Sequence, residues 1–399
     1  MAKKKKQFRT GTLLMILLAL AVLTGFGIWI VRGNGSRQHY DKQPAAVHLR
    51  NTGEGYSPVI ETHEATLFMV GDAVLHDTVY NDARTADGGW DFTKQISRIG
   101  AIAQQYDLAY FNQETILGGE ELGLSNYPMF NSPQEWGRDM VAQGFNLVST
   151  ATNHALDRWG AGIEASKKFW EQQEGVVEDG TNRSWDEFNE LPVYEVNGIS
   201  YVFVSWTYGM NGLQCPEGEE YLVNCYRDYM DEMFEQVRKG KELADVVIVA
   251  IHWGDEYSME PNEEQLTLAR QLSDADADII IGNHVHCIQP VEWINNRTIC
   301  FYALGNLISD QWPWEKSMIG MMGALKITKT TQGNQSEVKI SDVKADLHWT
   351  YSNRSAHKNF EAIPFSQLND SLYPGYQEVY SRYAPVITEM DDSIQVGGF

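Results

Sequence analysis

Basic side chains are scarce in this chain, with 31 Lys and Arg set against 54 Asp and Glu. Six of the 31 (Lys3, Lys4, Lys5, Lys6, Arg9 and Arg32) fall within the first 32 residues, so 25 face all 54 acids beyond them, a balance of −29. A surface of that sign repels polyanions at long range, which excludes nucleic acid as a partner. Cysteine is sparse too: there are four, none with the spacing of a zinc–thiolate site. Cys215 and Cys225 bracket a polar loop, where a bridge would suit an exported chain. Cys287 and Cys300 fall on the two arms of a hairpin predicted to turn at Asn295-Asn296. Counted back from that turn, Cys300 faces Val291, so the two read as separate buried thiols. Internal repeats are absent, and the only low-complexity tract is the lysine run.

Long apolar runs are missing as well, except for one. Residues 13–31 are nearly continuous apolar sequence behind a basic leader at 1–10. Nineteen residues at about 1.5 Å each cover the hydrocarbon core of a bilayer. Residues 11–32 are therefore expected to form a transmembrane signal anchor with a cytoplasmic N-terminus and an extracellular C-terminal domain. Ala19-Leu20-Ala21 has the form of a cleavage site but lies inside the run, so the anchor is expected to stay uncleaved. Residues 33–64, polar and mixed, read as a linker.

From Ala65 a rhythm begins in which a short apolar run ends in a polar cluster and helical sequence follows. The runs are 66–70, 108–111, 147–149, 201–205, 246–251 and 279–281, with helices expected at 162–174 and 263–272. Such alternation predicts an α/β fold with a largely parallel sheet. After Gln311 the pattern changes. Residues 323–330 and 337–347 alternate around a turn at Gln332-Gly333-Asn334-Gln335 and, with the 287–302 hairpin, are expected to form a second, antiparallel sheet. The main domain is placed at 65–350. Residues 351–399, without clear period, are set apart as a C-terminal extension.

In open α/β sheets ligands gather beyond the carboxyl ends of the strands. Five of the six runs carry acids, amides or imidazoles there. His76, His154, His252, His284 and His286 lie at such ends, with Asp72, Glu114, Asn153, Asp157, Asp255 and Glu256. Oxygen and imidazole donors without thiolate suit a divalent Mn, Zn or Fe, as one ion or two. His284 and His286 sit two apart just past a strand, a spacing that sends both rings to one side. Each residue also has a plainer reading: Asp72 as a helix cap, Glu114 as a surface carboxylate, His252 as a core histidine.

The order Gly71-Asp72, Asn112-x-Glu114, Thr152-Asn153-His154-Ala155-Leu156-Asp157, His252-Trp253-Gly254-x-Glu256-Tyr257, Gly282-x-His284-x-His286 and Tyr302-x-Leu304-Gly305-Asn306 resembles the bacterial capsule-synthesis CapA family. The resemblance spans about residues 65–311. It implies a four-layer α/β/β/α sandwich related to calcineurin-like metallophosphoesterases and a place in capsule or poly-γ-glutamate biosynthesis and export. Carried over, it implies metal ligands Asp72, Glu114, Asn153, His252, His284 and His286, with His76 as a further candidate. It implies catalytic roles for His154, Asp157 and Glu256, and a pocket wall of Tyr302 and Asn306. Val74 stands where metallophosphoesterases carry a histidine. Two functions follow: a metal-dependent hydrolase or transferase acting on a phosphoester or amide, or a non-catalytic tethered subunit of a polymer synthesis and export complex. Membrane and fellow subunits are the partners implied.

Overall fold

The apolar runs become strands because both of their faces are covered, which removes any need for polar alternation. The computed structural model describes residues 60–399. The expected leader, anchor and most of the linker lie outside the described residues. Among those described, no helix is long and apolar enough to cross a membrane.

Strands β1 (Ile60–Ala73), β2 (Leu108–Asn112), β3 (Leu147–Ser149) and β4 (Val177–Asp179) lie side by side and parallel. The chain then builds a second sheet from β5 (Tyr194–Val196), β6 (Ile199–Thr207), β7 (Val246–His252), β8 (Ile279–Asn283), β9 (Val291–Ile294) and β10 (Thr298–Phe301). Its order is β5-β6-β7-β8-β10-β9, parallel across β6, β7, β8 and β10. The chain returns to the first sheet with β11 (Asn306–Ile308), parallel to β1, and then β12 (Ile319–Gln332), β13 (Gln335–Asn353), β14 (Lys358–Pro364) and β15 (Gln395–Val396).

This arrangement corrects the expected division into one parallel and one antiparallel sheet. The parallel runs are shared between two sheets, and each sheet takes one hairpin: β12–β13 extends the first beyond β1, and β9–β10 completes the second. Residues 351–399 supply β14 and β15, both paired with β13. The β9–β10 turn also differs from expectation. Asn295 and Asn296 adopt positive φ as the turn requires, but Ile294 pairs with Thr298, so the loop has three residues. The extra residue shifts the register by one and sets Cys300 opposite Glu292 instead of Val291. Cys287 and Cys300 are separate and buried; Cys215 and Cys225 are free thiols, with no bridge between them.

Six helices of eight or more residues occur among the described residues: α1 (Thr93–Ala103), α2 (Glu135–Ala142), α3 (Trp159–Trp170), α4 (Met230–Leu243), α5 (Glu263–Asp274) and α6 (Tyr376–Tyr383). Strand parity assigns the layers. Leu67, Met69, Leu108 and Tyr110 meet Tyr201, Phe203, Ile248, Ala250, Ile279 and Ile281 between the sheets. The alternate residues Phe68, Val70, Ala109 and Phe111 pack outward against Ile96, Trp136, Met140 and Phe169 of α1, α2 and α3. On the other side Val202, Val204, Val247, Val249 and Ile280 cover Met233, Val237, Leu268 and Leu272 of α4 and α5. Each aliphatic side chain buried this way contributes about 1.5–3 kcal/mol. The result is an α/β sandwich of two mixed sheets. Helix α5 starts at a capping box, in which Asn262 Oδ1 accepts from the Gln265 N–H and Gln265 Oε1 accepts from the Asn262 N–H.

Candidate metal centre

Two glycines let the site close. A Cβ on Gly71 would lie 1.8 Å from the Gly305 carbonyl oxygen, so only glycine allows that approach. The contact lets the Asp72 N–H donate to the Gly305 oxygen (2.8 Å), and the parallel register then sets Asp72 beside both Asn112 and Asn306. Gly282 is equally constrained, because a Cβ there would meet the Tyr302 carbonyl at 1.9 Å. Beyond it β8 ends at Asn283, and His284 and His286 take φ of +98° and +58°. The rings therefore converge through a left-handed loop, with centroids 6.1 Å apart, and not through the period of an extended strand as expected.

Asp72, Glu114 and His286 form the centre: one donor atom from each lies within 4.8 Å of the others, and all three are buried. His286 Nε2 is 3.5 Å from Glu114 Oε1, and its Nδ1 is 3.6 Å from Asp72 Oδ2. Asp72 Oδ1 accepts from Asn112 Nδ2 (2.8 Å) and Oδ2 from the His284 N–H (3.1 Å). Both oxygens of Glu114 are buried without a hydrogen-bond partner. Burial pushes its carboxyl well above the ordinary range, with His286 pulling it down and Asp72 adding to the rise. Burial also disfavours charge on His286, but Glu114 and Asp72 outweigh it and lift its pKa to about 9. A buried carboxylate without a hydrogen bond costs several kcal/mol unless a cation compensates it, a role that protonated His286 fills in the metal-free protein and a divalent ion would fill in its place. Two carboxylates and an imidazole are a donor set that fits one divalent Mn, Zn or Fe.

The other expected residues divide. His252 and His284 lie outside the triad but beside it, their rings 4.7 Å apart. Burial first, then neighbouring histidines, hold both pKa values well below the ordinary one. His252 Nε2 bonds Asn153 Oδ1 (3.0 Å), and its Nδ1 lies 3.3 Å from Asn112 Nδ2. These two expected ligands are thus bonded to each other. His284 Nδ1 is buried and without a partner. His154 and Asp157 form a dyad: Asp157 Oδ2 accepts from His154 Nδ1 (2.7 Å) and from the Phe130 N–H (2.6 Å). Glu256 is exposed at the rim, near enough for its charge to act on Glu114 and His286. His76 stays outside the triad, with Nδ1 3.2 Å from the Asp310 N–H, and burial lowers its pKa to about 4. Asn306 does more than line a wall, since its Oδ1 lies 2.9 Å from His286 Nδ1. Tyr302 lines nothing here: it packs in the outer core, stacks on Trp253 and donates its hydroxyl to Glu292.

Three residues escaped the sequence reading as site members. Asn112 orients Asp72, the Tyr208 ring lies 4.6 Å from that of His284, and Asn211 Nδ2 lies 3.3 Å from His154 Nε2. Asn112 stood in the strand-end motif and could have been found there. Tyr208 and Asn211 follow β6, the one run whose end looked unremarkable. Both also line a cavity of about 820 Å³ that includes Arg227, Cys215 and Cys225 and adjoins the histidines, not the triad.

Residues 66–311 match the family described as bacterial capsule synthesis protein PGA_cap. The chain is 33% identical over 327 residues to the PGA biosynthesis protein CapA of Bacillus subtilis (strain 168), covering 80% of this chain and 79% of that one. It is 28% identical over 186 residues to the capsule biosynthesis protein CapA of Bacillus anthracis, covering 45% and 44%. With the six motifs in order on one pocket, and these likenesses spanning most of its length, the chain belongs to the bacterial capsule synthesis PGA_cap family.

Proposed function

We propose that this protein acts in capsule or poly-γ-glutamate biosynthesis or export, as a membrane-anchored extracytoplasmic hydrolase or transferase dependent on a divalent metal. The observation that carries the reading is Glu114: a fully buried carboxylate with two unpartnered oxygens, facing Asp72 and His286. The names of the two Bacillus relatives support the process. The sheet-on-sheet core with helices outside supports a four-layer α/β/β/α sandwich of the metallophosphoesterase kind.

Asp72, Glu114 and His286 would hold the ion, and His284 Nδ1 and Asn112 Oδ1 are further buried atoms that lack a partner. A divalent ion supplies Lewis acidity toward a phosphoryl or carbonyl oxygen and makes water more acidic. The chain's own residues do the rest. Asp157 fixes the proton of His154 on Nδ1, which leaves Nε2, toward Asn211, as the atom that takes a proton or returns one to a leaving group. Asn112 holds Asp72 by its Oδ1, and the His284 N–H holds the other oxygen, so the carboxylate cannot rotate. Phe130, its ring 4.8 Å from that of His154, keeps water from one side of the dyad.

Thermal unfolding with added Mn2+ tests this. At about 100 times Kd the ion should stabilise the wild type by about 2.7 kcal/mol, and Glu114→Gln and His286→Ala should abolish the shift. An equal shift in all three proteins, or none in the wild type, rules the metal site out.

A second reading is favoured by one observation. Asn153 and His252 bond each other and so are not both free to ligate. On that reading the protein is a tethered, non-catalytic subunit of a polymer synthesis and export complex. His154→Ala would then leave polymer output unchanged, whereas on the first reading it stops.

A further inference from the structure

Asn306 is buried and begins β11 directly beside Asp72. Its amide nitrogen meets three oxygens: Ser309 Oγ (3.0 Å), Gln311 Oε1 (2.8 Å) and the Ser317 carbonyl (2.8 Å). A carbonyl only accepts, so the NH2 must face that side and Oδ1 must face His286. There Oδ1 lies 2.9 Å from Nδ1. Asp72 Oδ2, at 3.6 Å from the same Nδ1, is beyond hydrogen-bonding reach. An amide oxygen accepts and never donates, so the proton of a neutral His286 belongs on Nδ1. The lone pair is then left on Nε2, the atom facing Glu114 at 3.5 Å.

We infer that Asn306, through its Oδ1, is the positioning residue that selects the His286 tautomer and turns Nε2 toward the metal site. The inference rests on the metal-site reading of Asp72, Glu114 and His286, and it concerns orientation, not ligation. The close Gly71–Gly305 contact belongs to the same arrangement. Without it β11 could not run beside β1, and Asn306 would not reach the ring. Partners behind a ligating histidine of this kind typically change metal affinity by 10–100-fold when removed.

The competing account is structural: the Asn306 NH2 braces the loop, and Oδ1 is incidental. Two substitutions separate them. Asn306→Asp keeps an acceptor for Nδ1–H and deletes the donors to the loop, whereas Asn306→Ala deletes both. Calorimetric titration of the full chain in detergent, with Mn2+ and then Zn2+, should show Asn306→Asp within several-fold of wild type. Asn306→Ala should be weaker by 10–100-fold. If Asn306→Asp loses affinity as severely as Asn306→Ala, or fails to fold, the amide donors are what matter and the inference falls. Unchanged affinity in Asn306→Ala overturns it as well. If the wild type itself binds neither ion, the metal-site reading fails and takes the inference with it. Should Asn306→Ala not fold, Asn306→Asp against wild type still decides.

Discussion

His348 and His286 are both buried, and their surroundings move them in opposite directions. His286 faces two carboxylates, which raise its pKa to about 9, so in the metal-free protein its contribution to stability is present below pH 6.5 and lost as pH climbs through 9. His348, on β13, has no partner for either nitrogen, and burial alone drives its pKa down to about 3. The unfolded chain, with an ordinary value of 6.5, therefore takes up this proton first as pH falls. Stability is whole above pH 6.5 and drains away toward pH 3, by about 2 kcal/mol from this one group at pH 5. His348→Leu removes both unsatisfied nitrogens and the titrating site. Urea unfolding at pH 7.5 and pH 5 should show the variant losing about 2 kcal/mol less between the two. An identical loss would mean that His348 finds a partner or water in solution.

Asp179 ends β4 in the first sheet, and its Oδ2 accepts from the Ser205 N–H of β6 in the second (2.6 Å). Nearby, Ser149 of β3 and Ser205 share a hydroxyl hydrogen bond (2.6 Å). These contacts tie the ends of two sheets where the apolar core runs out. Burial is the largest influence on the Asp179 carboxyl and raises its pKa to about 7. The folded state therefore holds the proton longer than the unfolded state, and the associated stability is complete below pH 3.8 and lost as pH rises through 7. Asp179→Asn keeps an acceptor for Ser205 and carries no charge. It should come close to wild type at pH 4 and exceed it at pH 8 by on the order of 4 kcal/mol in chemical denaturation. Strand 246–251 was legible in the sequence because a strand covered on both faces runs apolar, whereas β4, Val177-Glu178-Asp179, fell outside the six runs because two of its three residues are charged. Which sheet each strand joins was not legible, because pairing is settled by partners far along the chain. The histidines and carboxylates at the strand ends were visible as chemistry. The left-handed backbone of His284 and His286, and the mutual bond of His252 and Asn153, depend on how the two sheets meet. Tyr302 shows a signal that was present and unused. It shares parity with Cys300, both lie in the outer core, and Phe301 between them faces the other sheet.

The described residues, 60–399, form one compact unit. A chain truncated before Pro58 should therefore keep its far-UV circular dichroism and, on the proposed reading of the site and of the anchor, keep its Mn2+ affinity and fractionate as soluble where the full chain fractionates with the membrane. Loss of fold in the truncated chain would show that residues 1–57 are part of the folded unit, and retention in the membrane would show that the anchor lies elsewhere. The pocket itself belongs to neither sheet. The hydrogen bond from His284 N–H to Asp72 crosses between the sheets, as do those joining His252 to Asn153 and Asn283 to Tyr110. Burial is non-directional, so a close-packed apolar core defines the offset of one sheet on the other less sharply than bonds of fixed direction do. Directional bonds at the strand ends sharpen it, so the polar cluster works as a vernier that sets the two sheets to one alignment. Copying its side chains onto another sandwich would reproduce a list of residues and not a site. What has to be inherited is the offset between two sheets, and sequence drift elsewhere is tolerable as long as that offset holds.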